Sequence, residues 1–135
     1  MRVSWINLTG VLGAAVAIYA IGFVIYGLAV PAESWMAMSG VTAEQMAAVG
    51  TSRMPFSPLM PLATAIFLAI LFKWGNVSGL SIGARWGAVV AFASAIPALW
   101  YGWVYGVGPA QGTLLDSAHV LLGHVAAGAI LGRWK

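Results

Sequence analysis

LTGVLGAAVAIYAIGFVIYGLAV, residues Leu8–Val30, decides the fold, because it carries no charged side chain and has about the 20 residues an α-helix needs to cross roughly 30 Å of hydrocarbon. Three further runs repeat the pattern: Phe56–Trp74, Ala84–Tyr105 and Leu114–Gly132. Together the four fill most of the 135-residue chain, which is 61% hydrophobic and only 7% charged, where soluble domains carry roughly a quarter charged residues. The reading is a single integral membrane domain, an all-α bundle of four transmembrane helices. Arg2 precedes an apolar run, as in a signal peptide, but the run exceeds the length of a signal-peptide core and is read as an uncleaved first span.

The charges fall mainly at the ends of the runs and in the gaps between them. Arg2, Lys73, Arg85, Arg133 and Lys135 flank one face of the bundle, whereas Glu33, Glu44, Asp116 and Arg53 flank the other. Basic residues are retained on the cytoplasmic side, so both termini and the turn at 75–83 are expected there, in a cytoplasmic (inner) membrane. The formal charge of +3 follows from this asymmetry, and no Lys/Arg cluster suited to tracking phosphates is present, so nucleic acid is not an expected partner. Without cysteine the chain has no disulfide, thiolate metal site or thiol nucleophile.

An internal repeat is legible. Gly13-Ala-Ala-Val-Ala17 recurs as Gly87-Ala-Val-Val-Ala91, and Ala69-Ile-Leu-Phe-Lys-Trp74 as Ala129-Ile-Leu-Gly-Arg-Trp134. The simplest account is two helical hairpins of one design, arranged as parallel repeats about an axis along the membrane normal. Glycines four apart, Gly79, Gly83 and Gly87, Gly102 and Gly106, Gly128 and Gly132, have the spacing of close helix contacts in lipid. Pro97 should kink the third span.

Between the first two spans, Thr42 and Gln45 have the spacing of a capping box and Gly50 that of a stop, predicting a short amphipathic helix at about 43–49. Trp35, Met36 and Met38 before it are apolar enough to lie among lipid headgroups, and the whole loop reads as a lid over the bundle. Trp35 and Met36, with Trp100 and Trp103 at the end of the third span, are candidates for a partner surface. For the tryptophans, interfacial anchoring is the default reading and a ring-stacking ligand pocket the lesser one.

Asp116, His119 and His124 are the intramembrane polar candidates. On one helix Asp116 and His119 lie about 60° apart but the two histidines, five positions apart, about 140°, so they do not share an i,i+3 or i,i+4 metal site, and the chain has no third His and no thiolate. Asp116, Ser117 and His119 also fail as a hydrolase triad, since neighbours on a helix do not reach in-line contacts. No catalytic residue and no metal ligand is assigned. His124, about 12 Å deeper than Asp116, is a functional-site candidate by depth alone. It is either a neutral imidazole bonded to a carbonyl or hydroxyl inside the bundle, a proton relay, or the axial ligand of a haem or chlorophyll-type pigment.

The order of features resembles the DUF1761 family of small uncharacterised bacterial membrane proteins. The likeness rests on Ile25-Tyr26 at the end of the first span, Trp35-Met36 with Gly40 and Thr42-Ala43-Glu44, and Gly83 with Gly87. It continues through Leu115-Asp116-Ser117-Ala118-His119 to Gly128-Ala-Ile-Leu-Gly132-Arg-Trp134. His119 stands where that family more often has Tyr, and Gly27 where it has Ser. The resemblance implies a four-helix membrane fold and supplies no activity.

The function expected from these residues is non-enzymatic: an accessory or scaffolding subunit of a larger membrane assembly, for example a bioenergetic one. Its partners would then be the lipid bilayer and other membrane subunits or further copies of itself. A small homo-oligomeric transporter or channel with a path near Pro97 and His124 is the alternative, and a haem- or pigment-binding protein the third reading.

Overall fold

The computed structural model describes residues 2–3 and 6–134; Lys135, assigned above to the basic face of the bundle, lies outside them. Two short strands, β1 (Arg2–Val3) and β2 (Ile6–Asn7), pair antiparallel. The first span is α1 (Leu8–Gly22), continued by π-helical turns over Phe23–Ala29. A lid of two helices follows, α2 (Ala32–Ser39) and α3 (Ala43–Arg53). The second span is α4 (Leu59–Trp74), and the third runs through α5 (Leu80–Val90), π-helical turns at Ala91–Ala95 and α6 (Ile96–Val104). The last span is α7 (Ala110–Arg133).

Four helical segments are long and apolar enough to cross a membrane, Leu8–Ala29, Met54–Trp74, Leu80–Val104 and Ala110–Arg133. The third and fourth each begin four residues earlier than hydropathy placed them, because glycine, serine and threonine continue a helix that apolar content alone would start later. The capping box forms: Gln45 N–H donates to Thr42 Oγ1 at 3.2 Å and Thr42 N–H to Gln45 Oε1 at 2.9 Å. Gly50 does not end that helix, which runs to Arg53 and gives way to a 3-10 turn, Met54–Phe56, at Pro55. A proline has no N–H to donate and collides with the preceding turn, whereas an internal glycine only weakens a helix.

Pro97 is accommodated by π-helical turns at Ala91–Ala95. The N–H of Ile96 bonds five residues back, to the Ala91 carbonyl, so the hydrogen-bond register is already shifted before the residue that has no N–H to give.

The packing departs from a symmetric repeat. α7 is the central helix, packed antiparallel on both α5 and α1, whereas its counterpart α4 lies against α1 and scarcely meets α5. The like motifs do different work: Gly87 faces the α7 backbone at His124, while Gly13 receives the ring of Trp134. Trp74, matched to Trp134 in sequence, is 75% exposed.

Two kinds of interface result. Between α5 and α7 backbone meets backbone. A Cβ on Gly83 would fall on the Gly128 carbonyl, one on Gly87 on the His124 carbonyl and one on Gly132 on the Gly79 carbonyl; the Gly79 N–H, in turn, donates to Gly132 O at 2.8 Å. Between α1 and α7 each gap left by a glycine holds a large side chain, Gly13 with Trp134, Gly123 with Ile18, and Gly22 with His119. Gly102 and Gly106, expected at a helix contact, do not make one. Nothing lies within 4 Å of a Cβ on Gly102, and Gly106 meets only backbone of its own segment.

The apolar core, including Val11, Ala14, Ile18, Leu68, Phe72 and Leu131, occupies the end of the bundle where the basic residues sit. Asn7 closes that end. Its Oδ1 accepts from the N–H groups of Thr9 and Gly10, capping α1, and its Nδ2 donates to the Trp134 carbonyl at 2.6 Å. Asn7→Ala should therefore cost about 1–2 kcal/mol, while Asn7→Ser, which keeps the cap and loses the tie to Trp134, should cost less. Thermal unfolding of the two variants in detergent checks the order.

Candidate functional site

At the opposite end the helices spread, α6 buries no residue, and the lid covers a cavity of about 780 Å³. α2 is the lid element that hydropathy alone did not reveal as a helix. Its signals are ordinary ones: Pro31 before the first turn, Glu33 in it, and Gly40 after it at φ 70°, the left-handed cap that ends helices. Gly112 lets this helix press on α7, since a Cβ there would meet the Met38 carbonyl oxygen at 2.5 Å. The walls of the cavity include Trp35, Met38, Met46, Met54, Leu99 and Trp103, and Gly102 faces the empty space.

One polar pair marks this cavity. The Tyr26 hydroxyl, on the π-helical end of the first span, donates to Asp116 Oδ1 at 2.5 Å, and both residues line the space. The bond joins residues 90 positions apart. No side chain among the described residues donates to the second carboxylate oxygen. His119 stands one turn deeper, its ring edge-on to that of Tyr26 with centroids 5.4 Å apart at 89°. Its Nε2 is enclosed without a hydrogen-bond partner, against Gly22, where a Cβ would be only 2.9 Å away. His119 thus fixes the Tyr26 ring and does not itself line the cavity.

His124 is elsewhere. Its Nδ1 lies 2.8 Å from the Val120 carbonyl, one turn back on its own helix, and that acceptor requires the hydrogen on Nδ1. The imidazole borders a separate cavity of about 230 Å³ with Thr64, Phe67, Leu68, Leu71 and Val90. So Asp116 and His119 share a site, while His124 belongs to another. Of the partner-surface candidates, Trp35 and Trp103 line the large cavity. Met36 is half-buried beneath the lid turn, its carbonyl accepting from Val41 N–H at 3.2 Å, and Trp100 packs edge-on against Trp103.

Sequence reasoning passed over Tyr26 and Arg53 as site residues. The signal for Tyr26 was its depth: in antiparallel spans, a hydroxyl near the end of the first run sits level with an acid near the start of the fourth. Among the described residues no group of three or more His, Asp or Glu is placed to hold a metal.

Comparison with known proteins bears on this arrangement as a whole. The family described as "Protein of unknown function (DUF1761)" matches residues 9–132. The chain belongs to the DUF1761 family. The DUF1761 match runs from the first turn of α1 almost to the end of α7, and so takes in all four spans, both lid helices, Tyr26 and Asp116. No curated protein and no solved structure matches the chain.

Proposed function

We propose that this protein is a non-enzymatic, multi-pass membrane protein that holds an amphipathic small molecule between its lid and its bundle. The observation that carries this reading is the cavity of about 780 Å³ whose apolar walls surround a carboxylate with one oxygen held by Tyr26 and the other unbonded. Pockets of this size, mostly apolar with a few placed polar groups, are the ordinary form of small-molecule sites. A non-enzymatic role is favoured because Tyr26, Asp116 and His119 do not form a nucleophile aligned on a base: the imidazole meets the Tyr26 ring, not its hydroxyl. The basic residues of α4, α5 and α7, Lys73, Arg85 and Arg133, support a lid on the outer face of a cytoplasmic membrane, since basic ends are retained on the cytoplasmic side.

The outer surfaces of α4 and of α5 with α6 favour a second reading, an accessory or scaffolding subunit of a larger assembly. Phe67, Trp86, Phe92 and Tyr101 are exposed there and must be covered by lipid or by another helix. A transport path along Pro97 and His124 gains no support, because His124 borders its own cavity and is not among the residues lining the one beneath the lid.

The native mass of the protein, extracted gently from its own membrane, tests these readings. The expected result is the chain, alone or with copies of itself, carrying a small molecule that Gly102→Leu releases by filling the cavity from a position where a side chain meets nothing. A wild-type protein that carries no molecule sensitive to Gly102→Leu overturns the binding reading. Recovery inside a stoichiometric complex with other subunits supports the scaffolding one.

A further inference from the structure

The charges beneath the lid specify more than an apolar ligand. Among the described residues, two ionisable side chains of fixed charge line the cavity, Asp116 at the start of α7 and Arg53 at the end of α3. They do not pair with each other, and Arg53 makes no hydrogen bond or ion pair with another described residue. A carboxylate in apolar surroundings with one oxygen unbonded is costly unless a cation or donor reaches it, and a guanidinium is suited to phosphate or carboxylate. One occupant satisfies both at once: a zwitterion, cationic at one point and anionic at another, attached to apolar chains that match the walls.

Resting on the binding reading above, we propose that the occupant is a phospholipid with a primary ammonium headgroup, its ammonium on Asp116 and its phosphate on Arg53. The choice of a primary ammonium follows from the acceptor. The free carboxylate oxygen of Asp116 takes an N–H hydrogen bond, which a quaternary ammonium has no hydrogen to make, and quaternary groups are recognised instead by aromatic cages. The Tyr26 hydroxyl holds the other oxygen and so orients the carboxylate. The methionines of the wall, Met38, Met46 and Met54, are unbranched and adapt to acyl chains of varied shape. The lid end is also where headgroups belong: Asp116 is six residues into α7, about 9 Å along its axis.

The experiment is lipid retention by native mass spectrometry, after reconstitution in nanodiscs of equimolar phosphatidylethanolamine, phosphatidylcholine and phosphatidylglycerol with matched chains. The wild type should retain phosphatidylethanolamine over phosphatidylcholine by about tenfold, the size of one charge-assisted hydrogen bond. Asp116→Asn should bring that ratio near unity. Arg53→Gln should weaken retention of all three phospholipids alike and leave the ratio unchanged. Comparing the three lipids on the wild type needs no variant to fold. Equal retention of phosphatidylethanolamine and phosphatidylcholine, or a preference that survives in folded Asp116→Asn, overturns the proposal. If the wild type carries a molecule that Gly102→Leu releases but shows no such preference, the binding reading stands and the headgroup assignment falls. If Gly102→Leu changes nothing, both fall.

Discussion

Gly83→Ala should destabilise the bundle by about 3 kcal/mol or more, the upper part of the range for overpacking, because the added methyl meets backbone and not a side chain that can turn aside. Its Cβ would press well inside contact distance of the Gly128 carbonyl oxygen and stand 3.0 Å from Gly132 Cα. α5 and α7 would have to separate along their length, and the Gly79 to Gly132 hydrogen bond would stretch with them. In lipid no hydrophobic driving force compensates, since tails solvate apolar helices as well as other helices do; close packing itself supplies the association. Gly128→Ala should cost a similar amount, and the double variant less than the sum, since one separation relieves both clashes. Gly102→Ala, at a helical glycine of the same spacing with open space before it, should not destabilise and should add up to about 1 kcal/mol of stability. Thermal unfolding in detergent distinguishes these outcomes, and a Gly83→Ala protein as stable as the wild type would refute the backbone contact between α5 and α7.

Tyr26→Phe and Asp116→Asn should show a coupling energy of about 1.5–3 kcal/mol in a double-mutant cycle, the range for hydrogen bonds to a charged group. The bond is short, half-buried and made by a neutral donor to a carboxylate, the circumstances in which such bonds are strongest. Removing the hydroxyl leaves the carboxylate with no donor among the described residues, whereas removing the charge first leaves less to lose. Additive effects of the two substitutions on unfolding free energy would mean that the pair carries no mutual energy. The cycle also bears on the cavity, because Tyr26 is the group that orients Asp116 toward whatever occupies it.

The lid shows where local signals suffice and where they mislead. Thr42 and Gln45 satisfy each other across three residues, so the start of α3 is written in four consecutive positions. Its end is set by a competition between Gly50 and Pro55, and the proline decides because a missing donor and a steric clash outweigh a modest propensity. Pro31, Glu33 and Gly40 are equally local marks for α2; Trp35 and Met38, apolar enough for a membrane surface, line the cavity, whereas Met36 does not.

Sequence by itself determined that there are four spans and nearly where each begins and ends, because partition into lipid depends on the sum of side chains along one helix and on no other part of the chain. It also marked the polar residues that the apolar runs have to accommodate. Which helices touch was decided only by the tertiary structure. Gly83 and Gly87 share their spacing with Gly102 and Gly106, yet the first pair meets the α7 backbone, while Gly102 opens onto a cavity and Gly106 meets only its own segment. Spacing defines a small face on a single helix, and contact requires a second face of complementary shape at the same depth. Tyr26 and Asp116 obey the same rule: Asp116 stands out as an acid on its own span, but only the antiparallel packing of α1 on α7 sets the Tyr26 hydroxyl against its carboxylate.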